Sequence, residues 1–359
     1  MPGSELLKTE LDQVLVASDQ SALNAIIGRA IGAEVGAAIE WRLNETQSVN
    51  GCAGYAAPKA LAQLVWKSQG RTGTLRVVVK WFRGWKGGGE ALAYRLLTEA
   101  GAPVPRCFGS LRDAGGDAIL FLEELPHIGF DPSLLDHRLA VARSLAALHR
   151  MDTATWLRAG FPSLHYVPDA ERRRTQAFTA LAALHGLGGE LAQRARNVES
   201  ILAGDSSLVL RLSQSADSLP KAVIHRDNPP QNAGWREEKQ ELLWFDWHKA
   251  AIGAAWSDLL CAFPNLDKPW NADDEAVGRC YLEGVGLRAD QPLAGALRCL
   301  WCLQSLSILT WHTDRCRDGR VDWTEDVEEG ARIYRGWTVR LLTCLEAILA
   351  APAGEGVAC

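Results

Sequence analysis

The 359-residue chain has little net charge of either sign. Its 38 Lys and Arg stand against 43 Asp and Glu, a balance of −5. A dedicated nucleic-acid binder normally shows a basic face or a pI above about 9, so a nucleic-acid partner is not expected. That balance still leaves room for a local basic patch that cradles phosphates. There is no uninterrupted apolar run of the ~20 residues that a membrane helix needs, and no membrane partner is expected. The segment Met1-Pro2-Gly3-Ser4-Glu5 lacks a basic stretch followed by an apolar one, so a secretory signal is not expected. A disulfide framework is missing too. The Cys count is nine, an odd number scattered from Cys52 to Cys359, which reads as reduced thiols of a cytoplasmic protein. Cys299-x-x-Cys302 has no second pair at zinc spacing, and its apolar, helix-like surroundings make it core rather than a metal site. Internal repeats and low-complexity linkers are absent as well.

What is present is globular. Apolar residues make up 47% and charged residues 23%, a composition that packs a core and excludes a mostly disordered chain. At roughly 100–200 residues per domain, the length suggests about two domains or one large bilobal one. Residues 5–35 read as helix. Strand-like patterns follow at Ile39–Leu43, Lys59–Lys67, Leu75–Phe82, Cys107–Arg112 and Ala118–Leu125, with Gly70-Arg71-Thr72-Gly73 as a hairpin turn and Glu90–Ala100 as an inserted helix. Periodic helix dominates afterwards, at Leu139–Arg150, Ala170–Leu184, Glu190–Leu202, Asp273–Gly284, Leu293–Thr310 and Val327–Leu349. One β-rich interruption lies at Ala222–Trp247. Strand gives way to helix over Glu124–Phe130. The expected division is therefore an N-terminal lobe, 1–125, and a helical C-terminal lobe, 126–359.

The β-rich interruption holds the informative residues. It reads His225-Arg226-Asp227-Asn228-Pro229-Pro230-Gln231-Asn232, followed by an apolar strand ending in Phe245-Asp246-Trp247. Phosphoryl transfer needs a carboxylate placed to accept the proton of the attacking hydroxyl, and Asp227 can serve. Magnesium needs hard oxygen ligands, which Asn232 and Asp246 offer. Upstream, Lys80 closes the strand Val77-Val78-Val79 and can reach nucleotide phosphates. Glu90 opens the next helix and can pair with that ammonium. Phe121–Leu125, with Glu123 at its centre, is the candidate hinge whose backbone meets an adenine. Ser48–Gly54, starting with Ser48, is the candidate phosphate-covering loop by position.

These ordered pieces resemble the aminoglycoside phosphotransferase and choline kinase group of small-molecule kinases, relatives of the protein kinase fold. The resemblance runs from about residue 35 to 345. It includes Gly101-Ala-Pro-Val-Pro105, Leu145-Ala-Ala-Leu-His149 and Gly253-Ala-Ala-Trp-Ser-Asp258-Leu-Leu beside the segments above. It implies an α+β bilobal protein kinase-like fold: a five-stranded antiparallel N-lobe with one helix, and a mainly helical C-lobe. It also implies ATP and magnesium as cofactors, Asp227 as catalytic base, Asn232 and Asp246 as metal ligands, Lys80 as phosphate contact and Glu90 as its partner. His225 and Asp258 would support the catalytic loop. The sequence departs from the group's pattern in two places: no G-x-G-x-x-G is present, and Asn228-Pro229-Pro230-Gln231 is an unusual filling. The Lys80–Glu90 interval is short, which keeps Glu99 as a lesser candidate partner.

The expected reaction is transfer of the γ-phosphoryl group to a hydroxyl of a small molecule. An aminoglycoside-like or other amine-bearing antibiotic comes first as acceptor. The reasons are the family resemblance and the acidic run Asp322, Glu325, Asp326, Glu328 and Glu329, which would suit an amine. A metabolic alcohol (choline, ethanolamine, homoserine or a sugar) comes next. A non-catalytic nucleotide-binding pseudokinase is the rival of another class. Its signature would be loss of Lys80, Asp227, Asn232 or Asp246, and all four are present. No D-F-G or A-P-E segment follows, which argues against a protein kinase. His149 reads as a helix-end residue satisfied by backbone carbonyls, and most of the 14 Trp read as core.

Overall fold

The run Val77-Val78-Val79 alternates its side chains across a strand, with Val77 and Val79 fully buried. That strand is the middle of a five-stranded antiparallel sheet. The computed structural model describes residues 13, 15, 19–34, 38–48, 59–82, 88–112, 118–125, 127–236, 241–288, 292–319 and 326–351. The chain divides into two compact units, Met1–Gly129 with Gln231–Ala250, and Phe130–Pro230 with Ala251–Cys359.

The first unit opens with α1 (Gln20–Ile31). Asp19 caps it, accepting from the amides of Ser21 at 2.8 Å and Ala22 at 3.2 Å, and Gly32 ends it in the left-handed region. Of the helical stretch expected over 5–35, Gln20–Ile31 is helix, and residues 5–12, 14, 16–18 and 35 lie outside the described residues. The sheet holds β1 (Ile39–Ser48), β2 (Lys59–Ser68) and β3 (Arg71–Phe82), then α2 (Gly88–Glu99) and β4 (Cys107–Arg112) and β5 (Ala118–Glu123), in spatial order β1-β2-β3-β5-β4. Its core comprises Leu23, Ile26 and Ile27 of α1 against Ala60, Ala62, Val77, Val79, Phe108, Ile119 and Phe121. Gly109 at the β4 bulge lets α1 sit close. A Cβ there would fall 2.6 Å from Arg29 Nη2 and 2.7 Å from Ile26 Cγ1, and φ is already +149°.

The first hairpin differs from expectation. Its turn is Gln69-Gly70, both with positive φ, and strand pairing continues through Arg71–Gly73. Gly73 stands opposite Trp66, and a side chain there would meet the indole at 2.7 Å. This glycine makes room for a ring rather than a turn.

The single lobe boundary at residue 125 does not describe the chain. β6 (His127–Ile128) pairs with a later strand, and residues 231–250 return to the first unit.

The second unit is mainly helical. It holds α3 (Leu135–His149), α4 (Thr153–Arg158), α5 (Ala170–His185), α6 (Gly189–Gly204) and α7 (Leu208–Ser218). β7 (Lys221–Ile224) ends that run. The chain then supplies β8 (Ala233–Arg236) and β9 (Glu241–Trp244) to the first unit, where β6-β8-β9 form a three-stranded sheet. β10 (Ala251–Ala254) returns and pairs with β7, Ala251 opposite Ile224. Then come α8 (Ala272–Gly284), α9 (Leu293–Asp318) and α10 (Val327–Ala350). Among the described helices α9 alone is long and apolar enough to cross a membrane, where the sequence showed no such run. Its buried side chains, Leu297, Leu300, Leu303, Leu306 and Leu309 among them, make it the core helix of this unit, packed on α5, α7 and α10.

Candidate active site

Strand alternation places Lys80 on the face of β3 opposite Val79. Lys80 is 3% exposed, and its Nζ lies 2.9 Å and 2.7 Å from the two carboxylate oxygens of Glu90. The same ammonium donates to Asp246 Oδ1 at 2.6 Å. Glu90 stands in the first turn of α2, and Asp246 follows β9 after Phe245. Glu99, the other candidate for the lysine, is exposed at the far end of the helix.

Two buried carboxylates thus share one ammonium. Burial alone would lower the Lys80 pKa, but Glu90 and Asp246 more than offset it and hold it above its ordinary value. Glu90 is pushed up, first by burial, with Lys80 pulling back and the charge of Asp246 pushing further. Two carboxylates therefore face one ammonium inside the first unit.

Two further contacts fix Asp246. Its amide donates to the buried Tyr94 hydroxyl at 3.2 Å, and Tyr94 is one turn after Glu90 on α2. His248 Nδ1 lies 2.7 Å from Asp246 Oδ1. The backbone of Asp246 is left-handed, φ +72° and ψ +55°, a conformation costly for a residue with a Cβ. Beside it, the Phe245 amide donates to the Asn232 carbonyl at 3.0 Å, so Asn232 and Asp246 are neighbours. An amide oxygen and a carboxylate are hard donors that suit magnesium. Among the described residues no cluster of three His, Cys, Asp or Glu side chains forms a metal site by itself. An ion held here would draw its other ligands from phosphate and water.

The second unit carries a different arrangement. β7 runs into His225, and the pairing of β7 with β10 brings the following 3-10 helix, Ala255–Ala262, alongside. Gly253 permits this, because a Cβ there would collide with Ile224. Asp258, 1% exposed, accepts the amide of His225 at 2.5 Å with Oδ2 and that of Arg226 at 3.0 Å with Oδ1. His225 Nδ1 accepts the amide of Asp227 at 3.2 Å, and the Asn228 side chain donates to the Asp258 carbonyl. Three successive backbone amides are thereby held, with Arg226 in the left-handed region at φ +66°. Asp227, half-buried, stands at the end of this held segment. His149 differs from the backbone-satisfied residue expected. Its Nδ1 meets the Tyr281 hydroxyl at 2.8 Å and its Nε2 lies 3.5 Å from Asp258. Arg138 braces the same 3-10 helix, donating to the Ala262 carbonyl at 2.7 Å and pairing with Asp274.

Two expected nucleotide contacts stand apart. The Glu123 carboxylate takes the Arg106 amide at 2.9 Å and Arg236 at 2.7 Å, and its own amide donates to the Arg106 carbonyl at 2.8 Å. Burial pushes its pKa up, but these partners more than offset that and hold it below its ordinary value. Its carboxylate and amide therefore serve the fold rather than a ligand. Ser48 ends β1 opposite Ala60, and the remainder of the segment through Gly54 lies outside the described residues. So do Asp322 and Glu325 of the acidic run. Asp326 caps α10, accepting the amides of Glu328 at 2.9 Å and Glu329 at 3.1 Å, and Glu329 pairs with Arg332 at 3.2 Å. Sequence reasoning missed His248 and Tyr94. The i, i+4 spacing of Glu90 and Tyr94 was a signal for the second.

The model of the family described as the phosphotransferase enzyme family matches residues 86–293, more than half of the chain. This protein belongs to that family. Its members are phosphotransferases acting as small-molecule kinases, and the chain is an enzyme of that kind. No curated protein matches the sequence. Solved structures do. A protein of Ralstonia eutropha JMP134, named as a candidate aminoglycoside phosphotransferase, is 15% identical, with 91% of this chain and 98% of that one covered and a TM-score of 0.55. An aminoglycoside phosphotransferase in complex with GDP is 12% identical, with 90% and 96% covered and a TM-score of 0.53. Spectinomycin phosphotransferase in complex with ADP and spectinomycin is 12% identical, with 85% and 94% covered and a TM-score of 0.51. At such identities the three establish the fold, which is protein kinase-like α+β as the sequence implied.

Proposed function

We propose that this phosphotransferase uses ATP and magnesium to phosphorylate a hydroxyl of a small molecule, with an aminoglycoside-like or other amine-bearing antibiotic as the first acceptor class. The observation that carries the reading is the buried cluster of Lys80, Glu90 and Asp246. An ammonium clamped by one carboxylate and shared with another is suited to bind phosphate while leaving charge for a cation. Asn232 and Asp246 would hold the magnesium, which when bound offsets negative charge on the transferred phosphoryl group. Asp227 accepts the proton of the acceptor hydroxyl. The bonds that fix the 225–227 amides set its position. A cytoplasmic location belongs to the same reading, since the described Cys residues are free thiols.

The nucleotide bound in one structural neighbour is ADP and in another GDP, so the test offers both triphosphates. Nucleotide consumption is measured with magnesium against a panel of hydroxylated amines, antibiotics and sugars, with Asp227→Ala as control. Loss of a general base lowers turnover by about 10²–10⁴-fold, and the variant should unfold at the wild-type denaturant midpoint. A soluble Asp227→Ala protein with full activity sinks the assignment. The second reading is a metabolic alcohol such as choline, ethanolamine, homoserine or a sugar. It gains from the acidic run, where Asp326 and Glu329 already serve α10 instead of standing open to an amine. A panel response confined to such alcohols selects it.

A further inference from the structure

The contact between His248 and Asp246 is not needed to hold Lys80, which Glu90 already clamps. Asp246 stands at the N-cap of the 3-10 helix Trp247–Lys249, where an Asp ordinarily turns its carboxylate back onto the amides of its own helix. Asp246 makes no such bond. Its Oδ1 instead takes Lys80 Nζ at 2.6 Å and His248 Nδ1 at 2.7 Å. A carboxylate oxygen only accepts, so His248 donates from Nδ1. Two donors on one oxygen, from an amine and a ring, stop the carboxylate from rotating. The left-handed backbone at Asp246 folds the chain so that a side chain two residues later reaches it. The His248 side chain is 34% exposed, whereas that of Asp246 is 8% exposed, so the imidazole stands on the solvent side of the buried group.

We propose that His248 is a positioning residue that keeps the Asp246 carboxylate turned away from its own helix and presented to the magnesium ion. The inference rests on the reading of Asp246 as a metal ligand. Partners that orient a ligating group typically change metal affinity by about 10–100-fold when removed. Lys80 remains in place here, so the lower end, about tenfold, is expected.

The test is calorimetric titration of ADP with and without magnesium, using wild type, His248→Ala, His248→Asn and Asp246→Ala. The readout is the factor by which magnesium tightens ADP binding. His248→Ala should reduce that factor about tenfold while metal-free ADP binding stays at the wild-type value. His248→Asn, whose amide can donate to the same oxygen, should restore most of it. Turnover should show the same split, a raised apparent KM for magnesium with a smaller change in kcat. An unchanged magnesium factor in His248→Ala, with Asp246→Ala losing it, overturns the role of His248 alone. An unchanged factor in Asp246→Ala overturns the metal assignment beneath it. The imidazole ¹⁵N spectrum of the wild-type enzyme reads the contact without any substitution. A proton on Nδ1 is expected, and a His248 unprotonated at that nitrogen refutes the inference even if the variants fail to fold.

Discussion

Two buried aspartates, one in each unit, are held by opposite means. Asp246 faces an ammonium and an imidazole, with a second carboxylate behind the ammonium. Asp258 accepts the backbone amides of His225 and Arg226, dipoles that carry no net charge, with the His149 ring 3.5 Å away. The amide-solvated group is complete: it fixes a loop and asks for nothing more. The charge-paired group shares its ammonium with a second carboxylate, an arrangement that suits a cation. A buried ion cluster is a weak source of stability, because desolvation of each member consumes most of the Coulomb gain. Its retention points to ligand binding, whereas the Asp258 arrangement is explained by the geometry of the loop it holds.

The largest effect should come from tipping the first balance further. Lys80→Met leaves Glu90 and Asp246 buried without their ammonium, and breaking such a pair costs about 3–5 kcal/mol. Urea unfolding in metal-free buffer measures it. A loss near zero would mean that water already reaches the cluster. The pH dependence sharpens the assignment. The folded pKa of Lys80 is raised above its ordinary 10.5, so its contribution is intact below that pH and fades as pH rises through the higher folded value. Tyr94, also raised, loses stability in the same alkaline direction in both proteins, chiefly through burial. The difference between wild type and Lys80→Met should therefore shrink as pH climbs above 10.5, and a constant difference would break the argument.

The second balance should break more gently and with a different signature. Asp258→Asn keeps one acceptor oxygen but presents an NH₂ group where a second amide donor points. Hydrogen bonds to charged groups contribute about 1.5–3 kcal/mol, and a loss in that range is expected. Since the Lys80 cluster belongs to the other unit, magnesium-coupled ADP binding should stay at the wild-type value while turnover falls. Loss of both together would show that the two regions are not independent.

Much of this was legible in the sequence, and the failures have physical causes. Long amphipathic helices such as Ala170–His185 and Val327–Ala350 announce themselves by period. The six residues of Thr153–Arg158 are too few to show one, and their start rests on a cap, Asp152, accepting the Ala154 and Thr155 amides. Ala251–Ala254, reading Ala-Ile-Gly-Ala, is buried at every position and so lacks strand alternation. The return of residues 231–250 to the first unit depends on pairings such as His127 with Trp235, which no local pattern encodes. Lys80, Glu90 and Asp246 could be grouped from ordered motifs alone. The partners of the Glu123 carboxylate, Arg106 and Arg236, meet it only in the folded sheet, so no local pattern announced them.

The smallest expected effect tests how α2 is tied to Asp246. Glu90 holds the Lys80 ammonium and Tyr94, one turn later, accepts the Asp246 amide, so one helix face meets the Lys80 ammonium and the left-handed backbone of Asp246. Tyr94→Phe keeps the ring and removes a single acceptor. A neutral hydrogen bond contributes about 1 kcal/mol, and the buried site leaves the amide no ready substitute. The left-handed conformation of Asp246 should then be held less firmly, so its amide should exchange with solvent faster while the amides of β3 keep wild-type protection. If the helix acts through this bond, the variant should lower turnover more than its small stability loss would suggest, because the displaced group is the carboxylate assigned to the metal. Exchange and turnover both at wild-type values would reduce Tyr94 to packing and leave Glu90 as the residue of α2 that serves the cluster.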